Sequence, residues 1–202
     1  MMWFELRNEE NSARGEVLAR RSVEIRKKTL GTDHVAVAAD LAALAALLDG
    51  QGKDNRAKAL YRRALTIFER TYGRSHYEVA VCLNNLGAIN YRQGKAKQAE
   101  HLYQRSLLIK KRVLGPGNAD VALTLNNLTV LYKSLGRLAE AEPILKRALA
   151  IFAKSFGKKH CGVQAKLSRL AGTNRGPPAT DNGGETKFLR SINIKVSRGT
   201  PF

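Results

Sequence analysis

Residues 81–94 read VCLNNLGAINYRQG, and residues 123–136 read LTLNNLTVLYKSLG. Both stretches space their apolar residues as a helix does, and both carry adjacent asparagines at the same phase: Asn84–Asn85 and Asn126–Asn127, 42 residues apart. Asparagine is a mediocre helix former, because its short amide competes for backbone hydrogen bonds. Its return in the same register therefore points to a repeated unit.

The same period runs through the chain. Gly31, Gly73, Gly115 and Gly157 are spaced by 42, as are Gly52, Gly94 and Gly136. Leu41, Leu83, Leu125 and Leu167 follow it, and so do Leu44, Leu86, Leu128 and Leu170. Ile25, Ile67, Ile109 and Ile151 form another column; Ala57, Ala99 and Ala141 form one more. Columns that agree in register mark a repeat architecture, in which each unit buries its apolar face against its neighbours.

Each unit holds two helical patterns split by a turn. In the second unit Val79, Ala80, Leu83, Leu86 and Gly87 share one face. Gly94 then supplies the left-handed residue that ends a helix, and a second helix from about Ala96 to Leu114 packs through Ala99, Tyr103 and Ser106. Three complete helix pairs are expected, over 34–73, 76–115 and 118–157. Half-repeats flank them at 12–31 and 160–171, so the array covers 12–171. Residues 1–11 are expected to form a partial helix or to be disordered, and 172–202, rich in Gly, Pro, Thr and Asn at the start, a disordered basic tail. His34, His76 and His160, with Asn118 in the third copy, precede the first helix of each unit. They are expected to pack or cap there, since one histidine per repeat without partners at ligand spacing is a poor metal site.

Composition narrows the function. Hydrophobic residues reach 44% and can sustain a core, whereas aromatics reach only 6%, which favours close helix packing over a sheet. No apolar run of ~18 residues is present, so no membrane span is expected. The first residues lack the basic and apolar regions of a secretory signal. Cys82 and Cys161 form no C-x-x-C pattern, and both are read as small buried hydrophobes in a reducing, cytoplasmic setting. Thirty-five Lys and Arg against 17 Asp and Glu leave a net charge of +18, which attracts polyanions and acidic partners without specifying a fold. No phosphate-binding glycine loop, paired carboxylates or nucleophile with a base at fixed phase is found, so no enzymatic activity and no cofactor or metal are expected.

On a helical wheel with ~100° per residue, Ala80, Leu86 and Gly87 cluster around Leu83. Val81, Asn85, Ala88 and Arg92 lie opposite, with Asn84 and Tyr91 on the flank. In the third pair Leu123, Asn127, Val130 and Ser134 take the opposite stripe, with Lys133 on the flank. First helices line the concave side of a stack of helix pairs, so Asn85 and Asn127 are expected to face one groove. An amide offers donors and an acceptor to an extended peptide backbone whatever its sequence. The competing reading makes Asn84 and Asn126 ties between repeats and leaves Asn85 and Asn127 facing water.

A small–Leu–small first helix followed by A-x-x-x-Y-x-x-A/S resembles the tetratricopeptide repeat, whose usual period is ~34 residues. The longer second helix, the LG-x-x-H junction and the LNNL signature resemble the kinesin light chain variety, over about residues 11–171. Nothing resembles the heptad segment that anchors such light chains to a motor. The resemblance implies an all-α, right-handed solenoid of antiparallel helix pairs that acts as a protein-interaction scaffold. It also implies that the LNNL asparagines contact cargo peptides, which places Asn85 and Asn127 on a peptide backbone. A basic residue in the column of Arg26 and Lys110 meets acidic cargo in the related chains; the alternative is a side chain snorkelling past a helix end. The expected site is therefore Asn85, Asn127, Lys110, Arg92 and Lys133, flanked by Asn84 and Asn126, with an acidic protein or peptide as partner. The first pair shows ADLAALAALL in place of LNNL, and its stripe of Ala39, Ala43, Ala46 and Gly50 offers no clamp.

Two other functions compete. The basic residues of the second helices, among them Arg20, Arg21, Lys58, Arg62, Arg63, Lys97, Arg105, Lys146 and Arg147, form either a solvated convex face or a scaffold for RNA or DNA. Without interleaved exposed aromatics for base stacking, nucleic-acid binding is expected to be weak. The chain could also serve as the repeat arm of a larger signalling protein.

Overall fold

The computed structural model describes residues 2–156 of the 202-residue chain. Helices make up its regular structure: α1 (Met2–Leu30), α2 (Val35–Gly50), α3 (Asp54–Tyr72), α4 (Tyr77–Arg92), α5 (Ala96–Leu114), α6 (Ala119–Ser134) and α7 (Leu138–Phe156). Consecutive helices pack as antiparallel pairs, and the fold class is an all-α repeat solenoid. The described residues contain no strand. The expectations for the half-repeat 160–171, the tail 172–202, His160 and Cys161 lie outside the described residues.

Repeated punctuation sets the helix ends. His34 Nδ1 accepts from the Ala36 amide at 3.1 Å, His76 Nδ1 from the Glu78 amide at 3.3 Å, and Asn118 Oδ1 from the Asp120 amide at 2.8 Å. All three residues are helix N-caps, and each satisfies an amide that the first turn leaves without an intrahelical acceptor. At the other end, Gly52, Gly94 and Gly136 have φ of +74°, +72° and +73°. The following amides reach back across the turn: Lys53 N–H to Leu48 O, Lys95 N–H to Asn90 O and Arg137 N–H to Tyr132 O, each at 2.9 Å. That is the Schellman closure, and a side chain at its left-handed residue would be strained.

The front of the chain departs from the period. Position 10, one repeat before Gly52, is Glu10. With no glycine to turn on, α1 runs unbroken from Met2 to Leu30, where the register places a second-helix segment from about Ser12.

The described chain divides into two compact units, α1–α5 up to Val113 and the remainder from Leu114. In the first, α1 packs on α2, α2 on α3 and α3 on α4. Leu41, Leu44 and Leu48 of α2, Leu83 and Leu86 of α4, and Ala57, Tyr61, Ala64, Ile67 and Phe68 of α3 form one buried core. Ser106 of α5 donates its hydroxyl to the Ala80 carbonyl of α4 at 2.7 Å, and Arg105 pairs with Glu69. In the second unit α6 packs on α7, burying Val121, Leu125, Leu128 and Leu131 with Leu145, Ala148 and Leu149.

Gly87 answers a packing demand. A Cβ built there would lie 2.8 Å from two ring carbons of Tyr103. The same column holds Ala45 and Thr129, and the column of Tyr103 holds Tyr61 and Leu145, so small and large residues are traded against each other from pair to pair.

Candidate peptide-binding face

The outward stripe of α4 is Val81, Asn85, Ala88 and Arg92, partly exposed throughout, while the flanking Asn84 is buried. Asn85 Nδ2 donates to the hydroxyl of Tyr61 at 3.0 Å, and Asn84 Nδ2 lies 3.5 Å from Asn85 Oδ1. Tyr61 belongs to α3 and is 1% exposed, so this bond ties a first helix to the second helix of the preceding pair. Burial, then the negative charge of Asp49, holds its phenol protonated well above the usual range. The bond to Tyr61 uses one N–H of the Asn85 amide and leaves the other N–H and further carbonyl capacity.

Two helical turns along, Arg92 is held by two carboxylates. Its guanidinium forms a fork on Asp54, at 3.1 Å and 2.7 Å, and also meets Asp49. Burial opposes the charge, but Asp54 and Asp49 outweigh it and raise the guanidinium above its ordinary value. Arg92 thereby pins the end of α2 and the start of α3 to the last turn of α4, a bidentate geometry suited to arginine.

Asn90 stands in the column of Leu48 and Tyr132, which face the core, so the register implies a looser second pair or a local hydrogen bond. It is buried and accepts from Lys58 Nζ at 2.5 Å, with Gln93 Oε1 taking a second bond at 2.8 Å. Lys58 is thus an internal tie, which corrects its place on the solvated convex face. Desolvation pulls its ammonium below the ordinary lysine range, and Lys95 and Arg62 push the same way.

Lys110, on α5, is buried at 4% exposure. Its equivalent Arg26 pairs with Asp40 at 2.8 Å and also donates to the Ala36 carbonyl at 3.3 Å, so in α1 the basic column serves a contact within the chain. In the second unit Asn127 is half-buried on α6, Asn126 is 3% exposed, and Lys133 is exposed in the last turn. The structure therefore gathers Asn84, Asn85 and Arg92 on α4, and Asn126, Asn127 and Lys133 on α6. Lys110 is withdrawn into packing. The side chains that engage the α4 residues, Tyr61, Asp49 and Asp54, carry no mark of that role in the sequence beyond the periodic Tyr61–Tyr103 column.

Among the described residues no group of three or more His, Cys, Asp or Glu could hold a metal ion, and no helix is long and apolar enough to cross a membrane. The buried Cys82 thiol is pushed up to about 12 by desolvation, then by Glu78, so it is protonated at neutral pH and inert as a nucleophile.

This architecture of capped helix pairs with small-for-large exchange between them defines a helical repeat protein, and comparison with known proteins supplies the family. The chain belongs to the tetratricopeptide repeat family, whose sequence profile matches residues 6–70, 55–107 and 78–154. Its repeats are of the kinesin light chain-like type. BtubC (BKLC) from P. vanneervenii is 26% identical, with a TM-score of 0.68 over 89% of this chain and 81% of that one. The nearly identical TPR-like repeats of a presumed kinesin light chain from Podosopora anserina match at 22% identity and a TM-score of 0.66, covering 95% and 92%. A variant of the same repeats gives 21% and 0.67, covering 95% and 91%. No curated protein sequence matches the chain. Repeats of this family generally mediate protein–protein interaction.

Proposed function

We propose that the chain is a non-catalytic, cytoplasmic scaffold that holds an extended, acidic peptide on the outward stripe of its first helices. The observation that carries this reading is the Asn85 amide, anchored through one N–H by Tyr61 and left with a donor and an acceptor for a peptide backbone. Asn127 stands in the same column on α6. Because Arg92 is already engaged by Asp54 and Asp49, the preference for acidic peptides comes mainly from the +18 field of the whole chain. Such a preference weakens as salt rises, the Debye length being ~8 Å at physiological ionic strength.

A peptide recovered by pull-down and titrated calorimetrically tests this. Asn85→Ala and Asn127→Ala are each expected to cost ~0.5–1.5 kcal/mol of binding, and more where the peptide group is left buried and unpaired. Unchanged affinity in both variants would remove the asparagines from the site. In the nucleic-acid alternative the same field would act on phosphates, but Lys58, one of its basic residues, is turned inward to Asn90 and Gln93. Binding of arbitrary RNA that survives physiological salt would reverse that ranking.

A further inference from the structure

Second helices in the array bury one column that α1 does not. Ile67, Ile109 and Ile151 are 3%, 5% and 8% exposed, whereas Ile25 of α1 is 51% exposed. Leu18 is 67% exposed, whereas Leu60, Leu102 and Ile144 in its column are half-buried. The comparison of α1 with α3 locates the cause. Both pack on the first helix that follows, α2 for α1 and α4 for α3. On α1 this contact runs through Ser22 and Arg26, which bond Asp40, and through Gly15 beside Leu47. What α3 has in addition is α2, the first helix of its own pair. Leu18 and Ile25 lie ~50° around the wheel from Ser22, on the side away from Arg26. Their exposure is that of a second helix not covered by a first helix of its own pair.

The same chain carries a segment with the complementary pattern. Val163, Leu167 and Leu170 continue the columns of Val37, Val79 and Val121, of Leu41, Leu83 and Leu125, and of Leu44, Leu86 and Leu128. Eight of those nine residues are 3% exposed or less, and Leu86 is 4% exposed. These columns are the buried signature of a first helix. In a repeat array each unit touches only its neighbours, so the complementary segments that meet belong to two copies. We propose that the exposed Leu18–Ile25 face of α1 is the docking surface for residues 160–171 of a second copy, completing a helix pair between chains. Such a contact is heterologous: each added copy presents a new α1 face and a new 160–171 segment, so association builds closed rings or open chains according to the rotation between copies.

Sedimentation velocity and light scattering on the full chain test this. The mean mass should rise above that of one chain as concentration increases. Ile25→Glu should weaken association at least ~10-fold, because it places an unpaired carboxylate in the contact. Leu18→Glu, at a more exposed position, should do the same, and helicity by circular dichroism should match the parent in both. Leu167→Glu combined with Leu170→Glu should also give monomers. The decisive experiment mixes the Ile25→Glu chain with the Leu167→Glu/Leu170→Glu chain. One intact α1 face and one intact 160–171 segment remain between them, so the mixture should form heterodimers and nothing larger. A parent chain that stays monomeric at all concentrations would overturn the proposal. So would a mixture that stays monomeric, or a dimer lost with the α1 substitutions but kept with those at 167 and 170, which would mean symmetric α1–α1 pairing.

Discussion

Gly87 and Tyr103 offer a direct test of how helix pairs are matched. A Cβ at Gly87 would sit 2.8 Å from Cδ1 and Cε1 of Tyr103 and 3.2 Å from Cζ. Carbon atoms prefer separations of ~3.5–4.0 Å, so the ring must move, and Tyr103 is only 3% exposed. The third pair solves the same contact with Thr129 and Leu145. Gly87→Thr alone should destabilise by ~1–3 kcal/mol through overpacking, with only a few tenths returned by the better helix propensity of threonine. Tyr103→Leu alone should cost ~1–3 kcal/mol by leaving unfilled volume. Together they rebuild the side-chain pair of the third unit, and the double variant should recover ~0.5–3 kcal/mol relative to the sum of the singles. Urea unfolding of the four proteins, followed by circular dichroism, measures this coupling. Singles that add within ~0.5 kcal/mol would show that Gly87 is not held small by Tyr103, and the packing argument would fail.

Asn85→Ala and Tyr61→Phe both remove the bond between them, so each should cost ~0.5–1.5 kcal/mol of stability in thermal melts. Only Asn85→Ala should also weaken peptide binding; equal loss of binding in both would mean that Asn85 acts solely through the fold. His76→Ala removes an N-cap and should cost ~0.5–2 kcal/mol, while His76→Asn, which copies Asn118, should leave the melting temperature at or above the parent's. Glu16 bonds Lys53 and then Arg20, and these bonds lower its carboxyl from 4.5 to about 2. Because its folded value is depressed, the stabilisation is fully present above pH 4.5 and is lost as pH falls through about 2. Glu16→Gln should flatten the stability profile over that window; a profile identical to the parent's would discount the pair.

Glycine and cap columns made the fold legible because they carry backbone constraints that few residues satisfy. A left-handed turn at Gly52, Gly94 and Gly136 strongly favours glycine, and an exposed helix start favours a side-chain acceptor such as those of His34, His76 and Asn118. The ties were harder to read. Lys58 shares its column with Glu16, Glu100 and Glu142, so periodicity gives no hint that it turns inward. The signal lay in its partner, Asn90, a polar residue in a column of Leu48 and Tyr132. Tyr61 shares the packing column of Tyr103, but the use of its hydroxyl depends on the axial offset between α3 and α4, which residue spacing within one helix does not contain. Arg92 is a similar case, because its carboxylates come from either side of the α2–α3 turn. For Lys110 the helical phase was readable, and the depth at which it sits was not.

The ties within the first unit join helices that follow one another closely in the chain, and this has a consequence for how the protein folds. Arg92 to Asp49 closes 43 residues, Arg105 to Glu69 closes 36, and Asn85 to Tyr61 closes 24. Loop-closure entropy grows only slowly over such spans, and proteins rich in local contacts fold quickly. Asn85 can meet Tyr61 once α3 and α4 exist, whatever the state of the rest of the chain. A helix pair can therefore start folding on its own, and order spreads from it in both directions. Within the first unit, refolding from α3 and α4 should therefore be fast, and these two helices should be the last there to lose order.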